Sequence, residues 1–183
     1  GDSESPLHND LLYAQYIDAM TANKFASVAD RTRGEYMARN LRKNLPGSVA
    51  ADFQYTDRNG ATHNMHSFNA TYTLLYFYDP DCEHCQEVKA ELMDMPQLTE
   101  GTAFRVLAIF PYDDAERWKR VMPDFPASWT DGVSPEGIIT TDDIYYIKTM
   151  PSLYLLDSEK RVILKNPDMK LLKETVSKLK DEK

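Results

Sequence analysis

The sequence predicts a three-layer α/β domain, a central mixed sheet with helices on both faces, preceded by a helical extension. Three observations carry this. Residues 73–78 and 104–110 are apolar runs of strand length, rich in β-branched, aromatic and leucine residues, the composition of strands buried on both faces. Between them Val88, Leu92 and Met93 recur at helical spacing among good helix formers. Strand, helix, strand in that order imply a parallel pair with a right-handed crossover. A second half with two short apolar runs around a turn, and then an amphipathic helix, completes the layers.

Taken in order, residues 1–6 are polar and read as loose. Leu11, Leu12, Tyr16, Ile17 and Met20 then mark a helix over 7–20, and Val28, Tyr36, Met37, Leu41 and Leu45 a second over 26–45. Leu45-Pro46-Gly47 ends this region, so 1–45 is read as the helical extension and 46–183 as the main domain. Residues 50–55 and 62–66 read as strands around Asp57-Arg58-Asn59-Gly60, where Asn-Gly signals a tight turn. After the central helix, Met95-Pro96 breaks the pattern. A helix is expected over 111–122 with Trp118 and Val121, a loop over 123–137, and a short helix over 142–148 capped by Asp142 and Asp143. Residues 152–156 and 161–165 flank a turn at 157–160, and 169–179 forms the last helix.

With 183 residues, 42% hydrophobic and 27% charged, the chain suits one compact domain with an appendage. Its net charge of −8 argues against nucleic acid and anionic membrane surfaces as partners. No apolar run reaches the roughly 18 residues a membrane span needs. Gly1 is not an initiator methionine and no signal peptide is visible, so the chain reads as mature or trimmed, with any targeting segment removed.

Chemistry concentrates in Cys82-Glu83-His84-Cys85, where the buried strand turns into a helix after Asp79-Pro80-Asp81. The first helical turn offers unsatisfied N–H groups and the positive end of the dipole, which favour an anion. A thiolate is such an anion, and thiols in such settings have pKa values of roughly 3.5–7.5 against about 8.5 for a free cysteine. Cys82 is therefore the expected nucleophile in disulfide exchange, with Cys85 one turn later to resolve a mixed disulfide.

These residues resemble the thioredoxin superfamily, and within it the TlpA/ResA-like thiol-disulfide oxidoreductases of bacterial cell envelopes, over about 46–180. Ala51-Asp52-Phe53 with the turn at 57–60 is similar to that family's added hairpin, LLYFYDPDCEHC to its strand and active-site motif, and IYYIKTMPSLYLLDSEKRVI to its run into a cis-proline. The resemblance implies a redox-active disulfide between Cys82 and Cys85, no organic cofactor and no metal. It makes Pro151 the cis-proline and gives the Met150 backbone to a bound substrate segment, with Glu83 and His84 as active-site support. It further implies action on protein thiols and disulfides, as a reductant or isomerase type rather than a strong oxidant, with an unidentified redox partner, in an exported, periplasmic protein. The sequence departs from many thioredoxins in carrying Tyr76 where a buried acid precedes the motif by six residues, which leaves proton handling to Glu83, His84, Asp79 or Asp81. Ser152 stands where threonine is common.

Rival readings exist for most of these features. His63 and His66 could join the cysteines in a zinc site, although strand parity puts them on opposite faces. A protonated His84 favours the Cys82 thiolate and Glu83 opposes it; a solvent-exposed, inert His84 is the alternative. Lys89 is read as a solvated helix lysine rather than a thiolate partner, the tyrosines as packing, and Trp118 as an anchor to the sheet, with Trp129 a possible groove residue. A non-catalytic binding module that docks a partner through the N-terminal helices is the alternative function. The redox direction, the substrate and the oligomeric state are not legible.

Overall fold

The computed structural model describes residues 9–120 and 124–181. The expected loose segment 1–6, Val121 and the start of the loop at Pro123 lie outside the described residues. Two helices come first. In α1 (Asp10–Thr21) the Asn9 side chain accepts the Leu12 N–H, and in α2 (Val28–Leu41) the Ser27 side chain accepts the Asp30 N–H, so each helix opens on a side-chain cap.

β1 (Gln54–Asp57) and β2 (Thr62–Asn64) follow, joined through Gly60 at φ +81°. Both are shorter than expected. The Asp52 carboxylate takes the His66 N–H at 2.8 Å and the Asn64 side chain at 3.0 Å, competing with the ladder, and Met65–Ser67 turns as a 3₁₀ helix instead of extending the strand.

The central unit is β3 (Tyr72–Phe77), α3 (Glu83–Met93), the one-turn α4 (Pro96–Thr99) and β4 (Phe104–Phe110). Pro96 ends α3's pattern by opening a new turn, where its missing N–H costs nothing. The next helix, α5 (Ala115–Arg120), starts later than expected because Asp114 accepts the Arg117 N–H at 2.8 Å, and residues 111–114 stay non-helical.

Two expectations fail in the stretch that follows. The region read as a loop over 123–137 contains β5 (Thr130–Val133), parallel to β4 and antiparallel to β1. Its composition hides it: a Cβ on Gly132 would lie 2.7 Å from Tyr55 Cδ2 and 3.0 Å from Thr56 O, so close approach of β1 demands the residue that ordinarily weakens a strand. The helix expected over 142–148 is instead α6 (Ile138–Thr141), with Asp142 at its C-cap and Asp143 at φ +51°. The paired aspartates end a helix there, and the chain beyond is drawn down so that Tyr145 is buried. β6 (Ser152–Leu156), β7 (Val162–Lys165) and α7 (Met169–Asp181) close the chain.

The sheet order is β2-β1-β5-β4-β3-β6-β7, with β3–β4 and β4–β5 parallel and the other pairs antiparallel. Alternation along β3 divides its side chains between two cores. Leu74, Tyr76 and Tyr78 pack with Val88 and Leu92 of α3, Trp118 of α5, and Leu172 and Val176 of α7. Leu75 and Phe77 pack on the opposite face with Phe53, Ile139, Tyr145 and Tyr154. Trp118 is buried at the sheet, as expected of an anchor.

The N-terminal helices have a small core of their own, Ala14, Ile17, Ala38 and Leu41, packed against Tyr146. Polar contacts fasten them to the rest. Lys165 Nζ on β7 lies 2.6 Å from Asp10 Oδ2, with side-chain exposures of 4% and 10%, and donates to the carbonyls of Leu41 at 3.0 Å and Lys43 at 2.8 Å. Tyr36 OH donates to Asp143 at 3.0 Å, Lys43 Nζ to the Asp143 carbonyl, and Asn44 to the Ile144 carbonyl at 3.1 Å.

Candidate active site

Cys82 is the N-cap of α3: its backbone is extended, and its sulfur accepts the Cys85 N–H at 3.3 Å, the place a capping oxygen takes in most helices. Its Sγ also lies 3.8 Å from the carbonyl of Met150, and the Met150–Pro151 peptide is cis. The loop before β6 thus faces the first turn of α3. Cys82 is partly exposed and Cys85 fully buried. Burial pushes the Cys85 thiol up to about 12, opposed in part by a hydrogen bond from the Asp79 backbone.

Tyr76, on β3, donates its hydroxyl to the Cys85 carbonyl at 2.6 Å. Burial raises its pKa far above the ordinary tyrosine value, which keeps it a neutral donor. It stacks on Tyr78, with ring centroids 5.4 Å apart, and meets Phe125 and Trp129 edge-on. Trp129 is therefore part of the wall behind the cysteines, its Nε1 donating to the Leu98 carbonyl at 2.9 Å, and not a groove residue.

The turn between β3 and α3 is clamped from α5. Arg117 Nη2 donates to Asp79 at 2.7 Å and to Asp81 at 2.6 Å, and its Nε donates to Asp81 at 2.9 Å. Asp79 also accepts the Asp81 N–H at 2.9 Å, and Gln86 Nε2 reaches the Pro80 carbonyl at 3.0 Å. Both aspartates named as proton-handling candidates are thus engaged with one guanidinium. His84 faces solvent and directs Nδ1 to Glu87 at 3.0 Å rather than to Cys82. Glu83 is exposed in the same turn, and Lys89 extends along α3 with Nζ 6.0 Å from the Phe125 ring.

The structure brings Cys82, Cys85, Met150 and Pro151 together and leaves Glu83 and His84 at the rim. The histidines of the rival zinc reading are occupied separately: His63 Nε2 lies 2.9 Å from Asp57 and His66 Nε2 2.8 Å from the Ala50 carbonyl. Sequence reasoning missed two residues. Arg117 is one of several basic residues on α5, with nothing local to single it out. Asp131 is buried under the site on β5, receiving hydrogen bonds from Tyr78 at 2.7 Å, Trp118 at 3.3 Å and Arg58 at 3.1 Å. Burial still holds its carboxyl above the usual range.

No protein-family model and no curated protein matches the chain. Solved structures do. A thioredoxin-like protein from Bacteroides caccae superposes with a TM-score of 0.88 at 30% identity over 96% of this chain, a span that takes in the N-terminal helices; this chain covers 65% of that protein's length. A conserved protein of unknown function from Bacteroides fragilis is 37% identical, with a TM-score of 0.68 over 72% of this chain and 98% of its own. The thioredoxin domain of a thiol-disulfide oxidoreductase from Bacteroides vulgatus, 21% identical with a TM-score of 0.64 over 74% of this chain and 97% of its own, shares the fold. With this sheet order, a Cys-x-x-Cys at the start of the helix after the central strand, and these structural relatives, the chain has the thioredoxin-like fold.

Proposed function

We propose that the protein is a thiol-disulfide oxidoreductase of the TlpA/ResA-like kind that reduces or rearranges disulfides of other polypeptides through Cys82 and Cys85. The observation that carries this reading is the unequal pair: a partly exposed sulfur capped by a helix N–H, and a buried thiol one turn behind it whose pKa is pushed up to about 12. The Cys82 thiolate attacks one sulfur of a substrate disulfide; the S–S bond breaks and the other sulfur leaves as a thiolate that takes up a proton. Cys85 then gives up its proton and attacks Cys82 Sγ, expelling the second substrate thiolate and closing the Cys82–Cys85 disulfide. The substrate gains two electrons and the protein loses them, so a separate dithiol donor must restore it. Asp79, whose backbone hydrogen-bonds Cys85 and whose carboxylate is held by Arg117, borders the buried thiol. The Met150 backbone next to Cys82 supports docking of an extended substrate segment, with Pro151 behind it and Glu83 and His84 at the mouth.

We favour a reductant or isomerase direction because His84 turns its Nδ1 to Glu87 and not to Cys82. A strong oxidant requires a much more stabilised reduced form. We place the protein in the bacterial cell envelope as part of the same proposal, on the strength of the family likeness; no described helix is long and apolar enough to cross a membrane. Fractionation that finds the full-length product in the cytoplasm sinks that assignment.

The experiment is a single-turnover assay of pre-reduced protein with an oxidised polypeptide. Cys82→Ser abolishes reduction and Cys85→Ser accumulates a trapped mixed disulfide; full activity of Cys82→Ser overturns the reading. A second reading, a binding module, is favoured by one observation: Leu12, Tyr16, Met20 and Val28 of the N-terminal helices, and Phe25 in the turn between them, are exposed. In that case loss of both thiols leaves partner binding intact.

A further inference from the structure

We propose that the N-terminal helices are one wall of the substrate groove, and that they select polypeptides carrying a large apolar side chain beside the reactive cysteine. The proposal rests on the exchange chemistry assigned above and adds to it a specificity device.

A groove of about 620 Å³ runs from the cysteine motif to the helical extension. On the thiol side it is bounded by His84 and Val88 of α3 and by Met150 and Pro151. On the far side it is bounded by Tyr13 of α1 and by Met37 and Leu41 of α2, with Tyr146 and Leu153 between. The volume falls inside the range of about 300–1,000 Å³ found for sites that enclose a small ligand or a few residues. Its near end is fixed by chemistry. Met150, which lines the groove, has its carbonyl 3.8 Å from Cys82 Sγ, so a chain joined to Cys82 through a mixed disulfide has this groove beside it.

The lining is mixed, with Lys148, Thr149, Asn166 and Asp168 along it, but three of its charged side chains, Asp10, Lys165 and Glu91, are already paired. Asp10 and Lys165 pair at 2.6 Å and are almost wholly buried, and Glu91 pairs with Lys173 at 2.6 Å. Asp168 accepts the Leu171 N–H at 2.7 Å as the cap of α7. The apolar part of the far wall is Tyr13, Met37, Leu41 and Tyr146, two of them aromatic, a surface that gains by covering an apolar side chain. The wall is also tied to the segment that leads to Met150. Tyr36, Lys43 and Asn44 bind the 143–144 segment, six residues before Met150. These bonds set the distance between the extension and the cis-proline loop, which a selective site requires.

The test uses two synthetic peptides, each a disulfide-linked dimer through a single cysteine, flanked in one by Phe and Leu and in the other by Gly and Ser. Pre-reduced protein is mixed with each and the second-order rate constants are taken as a ratio, which cancels any inactive fraction. The wild type is expected to prefer the apolar peptide by at least about tenfold, the discrimination a well-formed apolar pocket reaches. Tyr13→Ser and Met37→Glu bring the ratio to within about twofold of unity, and Met37→Leu keeps it. A wild-type ratio near unity, or a ratio unchanged in Tyr13→Ser and Met37→Glu, overturns the proposal. Failure of the wild type to reduce either peptide overturns the exchange chemistry beneath it, a distinct result.

Discussion

The central strand–helix unit and the N-terminal helices are held by different forces. β3 is buried along its length, with Leu74, Leu75, Tyr76 and Phe77 all within the core, and α3 lays Val88 and Leu92 over one face of it. Among the described residues, the helical extension buries four apolar side chains of its own and leaves seven large ones exposed, from Leu11 to Tyr36. Its position is set by a few polar clamps, chiefly Asp10 with Lys165 and the bonds to 143–144. The difference teaches that the reactive cysteines sit on the most strongly determined part of the molecule, and the groove that faces them is closed by the least. Non-directional burial sets the first, and directional contacts between distant residues set the second.

That contrast can be broken most severely at its strong end. Leu92→Ala, at a fully buried site on α3, is expected to cost about 2–5 kcal/mol of global stability, read from urea unfolding. A cost near zero would mean that α3 does not anchor the sheet. Lys165→Met attacks the weak end by removing the Lys165 ammonium that pairs with the nearly buried Asp10. Its effect is capped by the free energy that docks the extension, so hydrogen exchange is expected to quicken tenfold or more within 10–41 while β3 and β4 stay protected. Uniform loss of protection across the sheet would show instead that extension and domain unfold as one.

The smallest effect concerns Asp131, whose carboxyl is held above the usual range by burial despite three donors. With the folded-state pKa raised, the folded protein binds more protons than the unfolded chain between the ordinary and the raised value. The contribution is present below the ordinary carboxylate range and is lost as pH rises through the raised value. Urea unfolding across pH should therefore show the wild type losing ground to Asp131→Asn as pH rises through that window, by at most about 1.4 kcal/mol per pH unit. The opposite slope would place the folded-state pKa below the ordinary one.

Much of the molecule was legible because burial repeats along the chain. The apolar runs at 73–78 and 104–110, the helical spacing of Val88 and Leu92, and the hairpin at 157–160 each carry a local signature of their final surroundings. So does Cys82-Glu83-His84-Cys85 at a strand-to-helix boundary, because the chemistry of a helix N-terminus is a property of the helix itself. Other features have no local signature. β5 is a strand because β1 and β4 supply its partners, and Gly132 is there for Tyr55 to pass. Arg117 matters through residues 36 and 38 positions earlier, Asp131 through Tyr78 and Trp118, and Lys165 through Asp10 at the other end of the chain. Thus the sequence by itself determined the sheet's centre and the two cysteines, through patterns of period two and 3.6. Only the tertiary structure decided what surrounds them, because a contact between residues far apart in the chain is written in neither residue's neighbours.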